Sequence, residues 1–180
     1  MNKTCMKTLG SLGLAFGLLS GSATADVFTE VVNLSGSESD GAFGSPLNTV
    51  VNVSVDAGVN DEFAGFAYAL AFVANSPSWG SEARIDITSP FGTTFTFSGA
   101  GAGWGNEPGI FVAGGTTSVF AGESVNGTWT FRFYESFDDA ISPDGLYTGA
   151  IFIITSIPGP GAMALLGLAG LATCSRRRRS

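Results

Sequence analysis

The sequence predicts an all-β protein, an antiparallel β-sandwich with jelly-roll-like topology. Short segments of alternating apolar and polar residues recur along the chain, separated by Gly, Asn, Ser, Pro and Asp. The 180 residues include 26 glycines and 15 phenylalanines, which favours strands and tight turns over a helical bundle. Residues 26–157 contain no stretch with the 3.6-residue period of an amphipathic helix.

The predicted strands follow this alternation along the chain. The segment at 128–134 places Trp129, Phe131 and Phe133 on one face, so we expect these three side chains in the core. About 130 residues are enough to bury such a core without disulfides. The predicted strands are 27–34, 47–55, 64–73, 84–88, 93–97, 110–112, 118–120, 128–134 and 149–155.

Residues 1–25 are predicted to be a secretory signal peptide. Lys3 and Lys7 precede an apolar run at 9–19, and small residues follow at Ala23 and Ala25. This order places the cleavage site before Asp26. The alternative is a buried N-terminal helix, which does not account for the charged start or the small-residue site.

Residues 158–180 form a different kind of segment. A Pro158-Gly159-Pro160 breaker precedes an apolar stretch at 161–174, which is short for a span because about 20 residues cross a bilayer. The stretch lacks the polar face that a helix on a soluble core would need. The cationic chain end consists of Arg176, Arg177, Arg178 and Arg179.

This three-part end resembles the PEP-CTERM class of bacterial sorting signals. One departure is that Gly159 stands where the usual glutamate lies between the prolines. The resemblance implies that an exosortase-type membrane protease recognises the tail and that the apolar helix holds the protein in the membrane before processing. It also implies a location at the bacterial cell surface or in the extracellular polysaccharide matrix.

The segment 26–157 is predicted to be the folded domain that carries the function. Its net charge limits the classes of partner that it can bind. It carries all 15 acidic residues and only two basic ones, Arg84 and Arg132, which gives a net charge of −13. This disfavours nucleic acid, because binding to phosphates depends on Lys and Arg. The chain has no histidine, and both cysteines, Cys5 and Cys174, lie outside this segment. Triads and most metalloenzyme sites are therefore disfavoured.

The same segment resembles the proprotein-convertase P domain over about residues 63–155. Two motifs carry the resemblance, a Ser-Pro-x-Gly-Thr turn and a Phe-x-Gly-Glu segment followed by Gly-Thr-Trp. The family's His and Gly-Asp are replaced at 79–82. The resemblance implies a jelly-roll sandwich that usually accompanies a protease, although no protease domain fits in this chain. The matching residues are Ser89, Pro90, Gly92, Thr93, Phe120, Gly122, Glu123, Gly127, Thr128 and Trp129.

An acidic loop is a candidate calcium site. Asp138, Asp139 and Asp144 follow Glu135, and carboxylate and backbone oxygens are the ligands that calcium prefers. Domains of the family that this segment resembles often hold calcium near such loops. The alternative is a solvated acidic turn.

Two tryptophans are a candidate ligand platform. Trp79 and Trp104 lie in segments rich in Gly, Ser and Pro, where an indole ring could stack on a sugar. The alternative is that they close the ends of the sandwich.

Two kinds of function remain. The first is a non-catalytic surface or matrix protein whose sandwich binds a protein, a polysaccharide or calcium. The second is a carbohydrate-active enzyme that uses paired carboxylates as acid and base. The missing histidine and the lack of a triad-like pattern favour the first.

Overall fold

The computed structural model describes residues 27–139 and 141–159. These residues form nine strands and one short 3-10 turn at Gly80–Glu82. The strands are β1 (Phe28–Asn33), β2 (Ser37–Ser39), β3 (Val50–Val55), β4 (Glu62–Ala74), β5 (Ala83–Thr88), β6 (Thr94–Ser98), β7 (Gly109–Thr117), β8 (Gly127–Glu135) and β9 (Gly145–Ile157).

The strands build two sheets that pack face to face. One sheet has the order β1-β9-β4-β7, with the short β2 also paired to β9, and the other has the order β3-β8-β5-β6. Every strand pairing is antiparallel. From β3 onward, only β5 and β6 follow each other within one sheet, and the other connections cross between sheets. This arrangement is jelly-roll-like, and the predicted antiparallel all-β sandwich is confirmed.

Aromatic side chains fill the space between the sheets. Trp129, Phe131 and Phe133 of β8 are at most 1% exposed, which confirms their predicted place in the core. The Trp129 ring stacks on Phe66 of β4 at 6.1 Å between centroids, and its indole N–H donates to the Val125 carbonyl over 2.9 Å. The polar N–H group of the indole is thus hydrogen-bonded, while the apolar area of the ring is buried.

One predicted strand is wrong. Residues 118–120 form a turn in which the Ala121 N–H donates to the Ser118 carbonyl over 3.0 Å. Phe120 is fully buried because it packs against Phe63 and Trp129, with ring centroids 5.7 and 4.9 Å away. One buried aromatic residue in a turn produces the same local pattern of apolar residues in the sequence as a short strand.

Several strands extend beyond their predicted bounds, above all β7 and β9, and β2 is additional. The segment predicted at 110–112 is the start of β7, whose second half is small and polar. Gly115 fits there because a Cβ at that position would lie 2.7 Å from the Tyr68 hydroxyl oxygen. The three residues of β2 were not predicted, since Ser-Glu-Ser carries no apolar alternation.

The predicted targeting segments lie almost entirely outside the described residues. This holds for the signal peptide at 1–25 and for the tail from Pro160 onward. The described chain ends at Pro158 and Gly159, where the Gly159 N–H meets the Val59 carbonyl at 3.4 Å. Within residues 27–139 and 141–159, no helix is long and apolar enough to cross a bilayer.

Candidate ligand-binding end of the sandwich

The strand directions separate the loops into two groups at opposite ends. Phe28 pairs with Ser156, so the start of β1 and the end of β9 lie together. We call this the proximal end, because the predicted tail leaves from it. The distal end comprises the loops at 40–49, 75–82, 99–108 and 136–144.

Every internal site residue predicted from the sequence lies at the distal end. Trp79 lies in loop 75–82 and Trp104 in loop 99–108. The three predicted calcium ligands, Asp138, Asp139 and Asp144, lie in loop 136–144. Antiparallel pairing therefore brings together three loops that are far apart along the chain.

Trp104 closes the distal end. The residue is 7% exposed, and its ring stacks on Phe72 and Phe111 at 5.6 and 5.4 Å between centroids. Its indole N–H donates to the Val112 carbonyl over 3.1 Å. Both ring faces are occupied, so the packing of Trp104 matches the alternative considered from the sequence, a plug. The prediction that a tryptophan ring serves as a platform for a ligand therefore depends on Trp79.

Glycines let the backbone approach this plug. A Cβ on Gly99 would overlap the Gly80 carbonyl oxygen and lie 2.9 Å from the Trp104 ring. A Cβ on Gly80 would overlap the Phe111 ring. The close fit of loops 75–82 and 99–108 around Trp104 therefore requires both glycines.

Trp79 faces a cleft of about 350 Å³. Its side chain is 42% exposed, and Phe137 on the opposite loop is 59% exposed. Glu82 and Asp139 supply carboxylates to the same cleft. Glu82 is held in place because its Oε2 accepts the Trp79 backbone N–H over 3.0 Å. Exposed rings beside hydrogen-bond acceptors can bind a sugar through its apolar face and its hydroxyls.

Sequence reasoning missed three members of this cleft: Pro77, Glu82 and Phe137. Phe137 carried the one usable signal, because an aromatic residue flanked by Ser136 and Asp138 in an acidic loop has no strand face to occupy. Nothing in the sequence indicates that loops 75–82 and 136–144 meet, since their contact follows from the pairing of β5 with β8.

Asp144 lies buried next to the cleft. It is 0% exposed, and neither carboxylate oxygen has a hydrogen bond of good geometry among the described residues. Burial and the nearby charges of Asp138, Asp139 and Asp40 together raise the pKa of Asp144 to about 6, although a weaker hydrogen bond from the Asp139 backbone opposes the change. Asp139 also has one buried oxygen without a partner in that part of the chain.

Glu135 is the second buried carboxylate at this end, and it is also 0% exposed. Its Oε1 accepts the Ser39 hydroxyl over 2.9 Å and its Oε2 accepts the Ser78 hydroxyl over 2.6 Å. Burial raises the pKa of Glu135 to about 7, although these hydrogen bonds oppose the change. Both carboxyls therefore take up protons more readily than exposed ones do.

The acidic loop does not form a preformed metal centre. Within residues 27–139 and 141–159, no three His, Cys, Asp or Glu side chains converge on a possible cation position. Asp138 extends toward Gly41, where an added Cβ would lie 3.0 Å from its Cγ. Calcium binding by Asp138, Asp139 and Asp144 stays a prediction.

Comparisons with known proteins give likenesses of fold alone. No protein-family model and no curated protein matches the sequence. A chain from the complex of the Aeromonas sobria serine protease with the chaperone ORF2 is similar, with 13% identity and a TM-score of 0.47, over 74% of this chain and 28% of that one. The VP2 subviral particle of infectious bursal disease virus is similar over 86% of this chain and 39% of that one, with 11% identity and a TM-score of 0.40. The Tobacco streak virus coat protein is similar with 12% identity and a TM-score of 0.32, over 73% of this chain and 88% of that one.

Proposed function

We propose that this protein is an exported, non-catalytic surface module whose distal cleft binds extracellular polysaccharide. One observation carries the proposal: the predicted tail leaves from the proximal end, while the aromatic cleft lies at the opposite end. The 13 residues of β9 separate the two by about 40 Å at roughly 3.3 Å per residue. A module tethered by its tail would thus hold the cleft away from the membrane.

The charges of the module support a neutral polysaccharide as its ligand. Glu82 and Asp139 line the cleft, and exposed Asp138 lies in the same loop as Asp139. Such a surface repels an anionic chain, whereas sugar hydroxyls can donate hydrogen bonds to carboxylates.

Both basic residues of the domain have internal partners. The Arg84 guanidinium donates to the Ser81 and Ala83 carbonyls over 2.7 and 2.8 Å. The Arg132 guanidinium lies 4.5 Å from the centre of the Phe43 ring. Neither belongs to a cationic patch, which supports the expectation that nucleic acid is not a partner.

The test is binding of the full chain to a panel of neutral glucans and galactans, with polygalacturonate as the anionic comparison. Trp79→Ala should weaken binding to the recognised glycan about tenfold, because one exposed ring supplies much of the contact. Trp79→Phe should retain most of it. Phe91→Ala, which truncates a 65% exposed ring at the proximal end, should bind like the unaltered protein.

Two results would count against the polysaccharide proposal. One is that no neutral glycan binds, and the other is that Trp79→Ala and Phe91→Ala bind equally well. Release of reducing ends that Glu82→Gln or Asp139→Asn abolishes would favour the enzymatic alternative.

Export and sorting form the second part of the proposal. We expect the signal peptide at 1–25 to direct secretion and an exosortase-type protease to recognise the tail that begins at Pro158. Deletion of residues 158–180 should move the protein from the cell-surface fraction to the medium, with glycan binding unchanged. The same distribution for both versions in cell fractionation would contradict a sorting role for the tail.

Calcium binding is a second candidate role, and buried Asp144 favours it. A buried carboxylate without a hydrogen-bond partner is costly unless it takes up a proton or a cation. At pH 7.5, calcium at ten to a hundred times its dissociation constant should stabilise the fold by about 1.4 to 2.7 kcal/mol. Asp144→Asn should abolish this gain. Equal melting temperatures in calcium and in EDTA would remove the role.

A further inference from the structure

The outward side of the β1-β9-β4-β7 sheet is apolar. Val31, Ile153 and Ala67 lie in one row across β1, β9 and β4. Their side chains point away from the core, because an adjacent residue of each strand points inward and is buried. We define the outer face as the outward-facing residues of these four strands. It extends from the row that contains Gly65 and Thr155 to the row that contains Val73 and Leu146. None of these residues is charged.

The outer face is large for an exposed apolar surface. Within these rows β9, β4 and β7 contribute about nine residues each and β1 about five, so strands spaced about 4.8 Å apart with roughly 3.3 Å per residue give about 500 Å². This lies near the upper end of the largest apolar patch of a typical monomer, about 300–600 Å². Val31 is 58% exposed, so the apolar character reaches the edge of the sheet.

The outer face has a ridge at one end and a shallow concavity at the other, so two copies can match each other in shape. On β7, Ile110 and Val112 stand out and are 78% and 74% exposed. Toward the other end of the same face lies a shallow concavity of about 600 Å³, lined by Gly65, Thr116 and Ile153 among others. If two copies face each other with antiparallel strands, the ridge of each copy lies over the concavity of the other.

We propose that a second copy of this chain packs on the outer face, forming a symmetric face-to-face dimer. Two such faces bury about 1,000 Å² together, which is at the lower limit for a specific interface, so the dimer is expected to be weak. Two domains of net charge −13 repel each other over most of their surface, and the uncharged outer face is where they can approach.

The predicted tail is a less suitable occupant of this face. The Gly159 N–H meets the Val59 carbonyl, so the end of the described chain turns toward loop 56–61, which connects the two sheets. In the antiparallel dimer the two proximal ends, from which the predicted tails leave, point in opposite directions.

The test is sedimentation velocity of the full chain in mild detergent at about 1–100 μM. The unaltered protein should dimerise with a dissociation constant on the order of micromolar, as the small interface suggests. Val112→Asp should raise this constant at least about tenfold, because each interface would then bury two unpaired charges. Higher salt should strengthen the dimer of the unaltered protein by screening the net charge.

Val59→Asp is the matched control. It changes a 69% exposed valine outside the outer face and should leave dimerisation unchanged. A cooperative thermal unfolding transition in each of the three proteins, measured well below the dissociation constant, would show that each one folds. A monomeric unaltered protein at 100 μM, or an equally stable dimer in Val112→Asp, would overturn the proposal.

Discussion

Glu135 provides a direct test of the buried charge at the distal end. The carboxyl group lies at the end of β8, is fully buried, and accepts the hydroxyls of Ser39 and Ser78. Glu135→Gln keeps the shape of the side chain and resembles the protonated carboxyl, with one accepting oxygen and one donating group, so that one serine hydroxyl must turn to accept; it removes the ionisation. We expect this substitution to flatten the dependence of folding stability on pH.

The size of the effect follows from the two pKa values. The pKa of Glu135 is raised from an ordinary 4.5 to about 7 in the folded protein, chiefly by burial. The folded state therefore holds the proton more tightly, so the stabilisation is complete below pH 4.5 and is lost as the pH rises through about 7. Between pH 5 and pH 8 this loss amounts to about 2–3 kcal/mol, since each unit of pKa corresponds to a little over about 1 kcal/mol.

The measurement is urea unfolding followed by tryptophan fluorescence at pH 5, 6, 7 and 8, with EDTA present. The free energy of unfolding of the unaltered protein should fall by about 2–3 kcal/mol or more over this range. That of Glu135→Gln should fall much less. The fall that remains should come from Asp144, whose pKa is also raised, to about 6.

Two further variants make the comparison specific. Glu38→Gln changes an exposed carboxylate on β2 and should keep the full pH dependence. Glu135→Gln combined with Asp144→Asn should show almost none. The reasoning would be refuted if Glu135→Gln kept the slope of the unaltered protein, or if the unaltered protein became more stable as the pH rose from 5 to 8.

Three predictions concern packing, and thermal unfolding at pH 5.5 tests each of them. Tyr147→Phe should raise stability by about 1 kcal/mol, because the Tyr147 hydroxyl is buried and has no partner among the described residues; a loss would indicate a hidden partner. Trp104→Ala should cost about 3–5 kcal/mol, whereas Trp79→Ala should cost under about 1 kcal/mol, and similar losses would contradict the plug. Gly99→Ala should destabilise more than Gly101→Ala, because a Cβ on Gly99 would overlap the Gly80 carbonyl oxygen, whereas one on Gly101 would make ordinary contacts with Ser98 at 3.4 Å.

Much of the fold could be predicted because its strands have one buried and one exposed face. In β8, alternation placed Trp129, Phe131 and Phe133 correctly, since the pleat gives a period of two. The pattern failed where burial does not come from a pleat. Phe120 is an anchor in a turn, and β2 pairs through its backbone with no apolar residue. Propensity and pattern record side-chain burial and not backbone pairing.

The candidate site could be predicted in part, residue by residue. Trp79, Asp139 and Asp144 were chosen for their chemistry, and the fold brings them to the same end of the sandwich. Trp104 was chosen on the same grounds and lies in the core, because loop composition does not distinguish an open ring from one that closes a sandwich. The cleft itself depends on contacts between distant segments, which a single sequence does not reveal.

The buried polar groups at the distal end are not all satisfied alike. Asn48 is buried there and is fully hydrogen-bonded, since it accepts the Asp40 N–H and donates to the Gly41 and Ala42 carbonyls. Within residues 27–139 and 141–159, four of the five buried side-chain atoms without a partner belong to Asp139, Asp144 and Tyr147 at the distal end. Folding alone would favour the removal of such groups, since each costs about 1–3 kcal/mol. Asp139 and Asp144 belong to the loop beside the proposed cleft, so they are the groups that a proton or a bound ligand could satisfy.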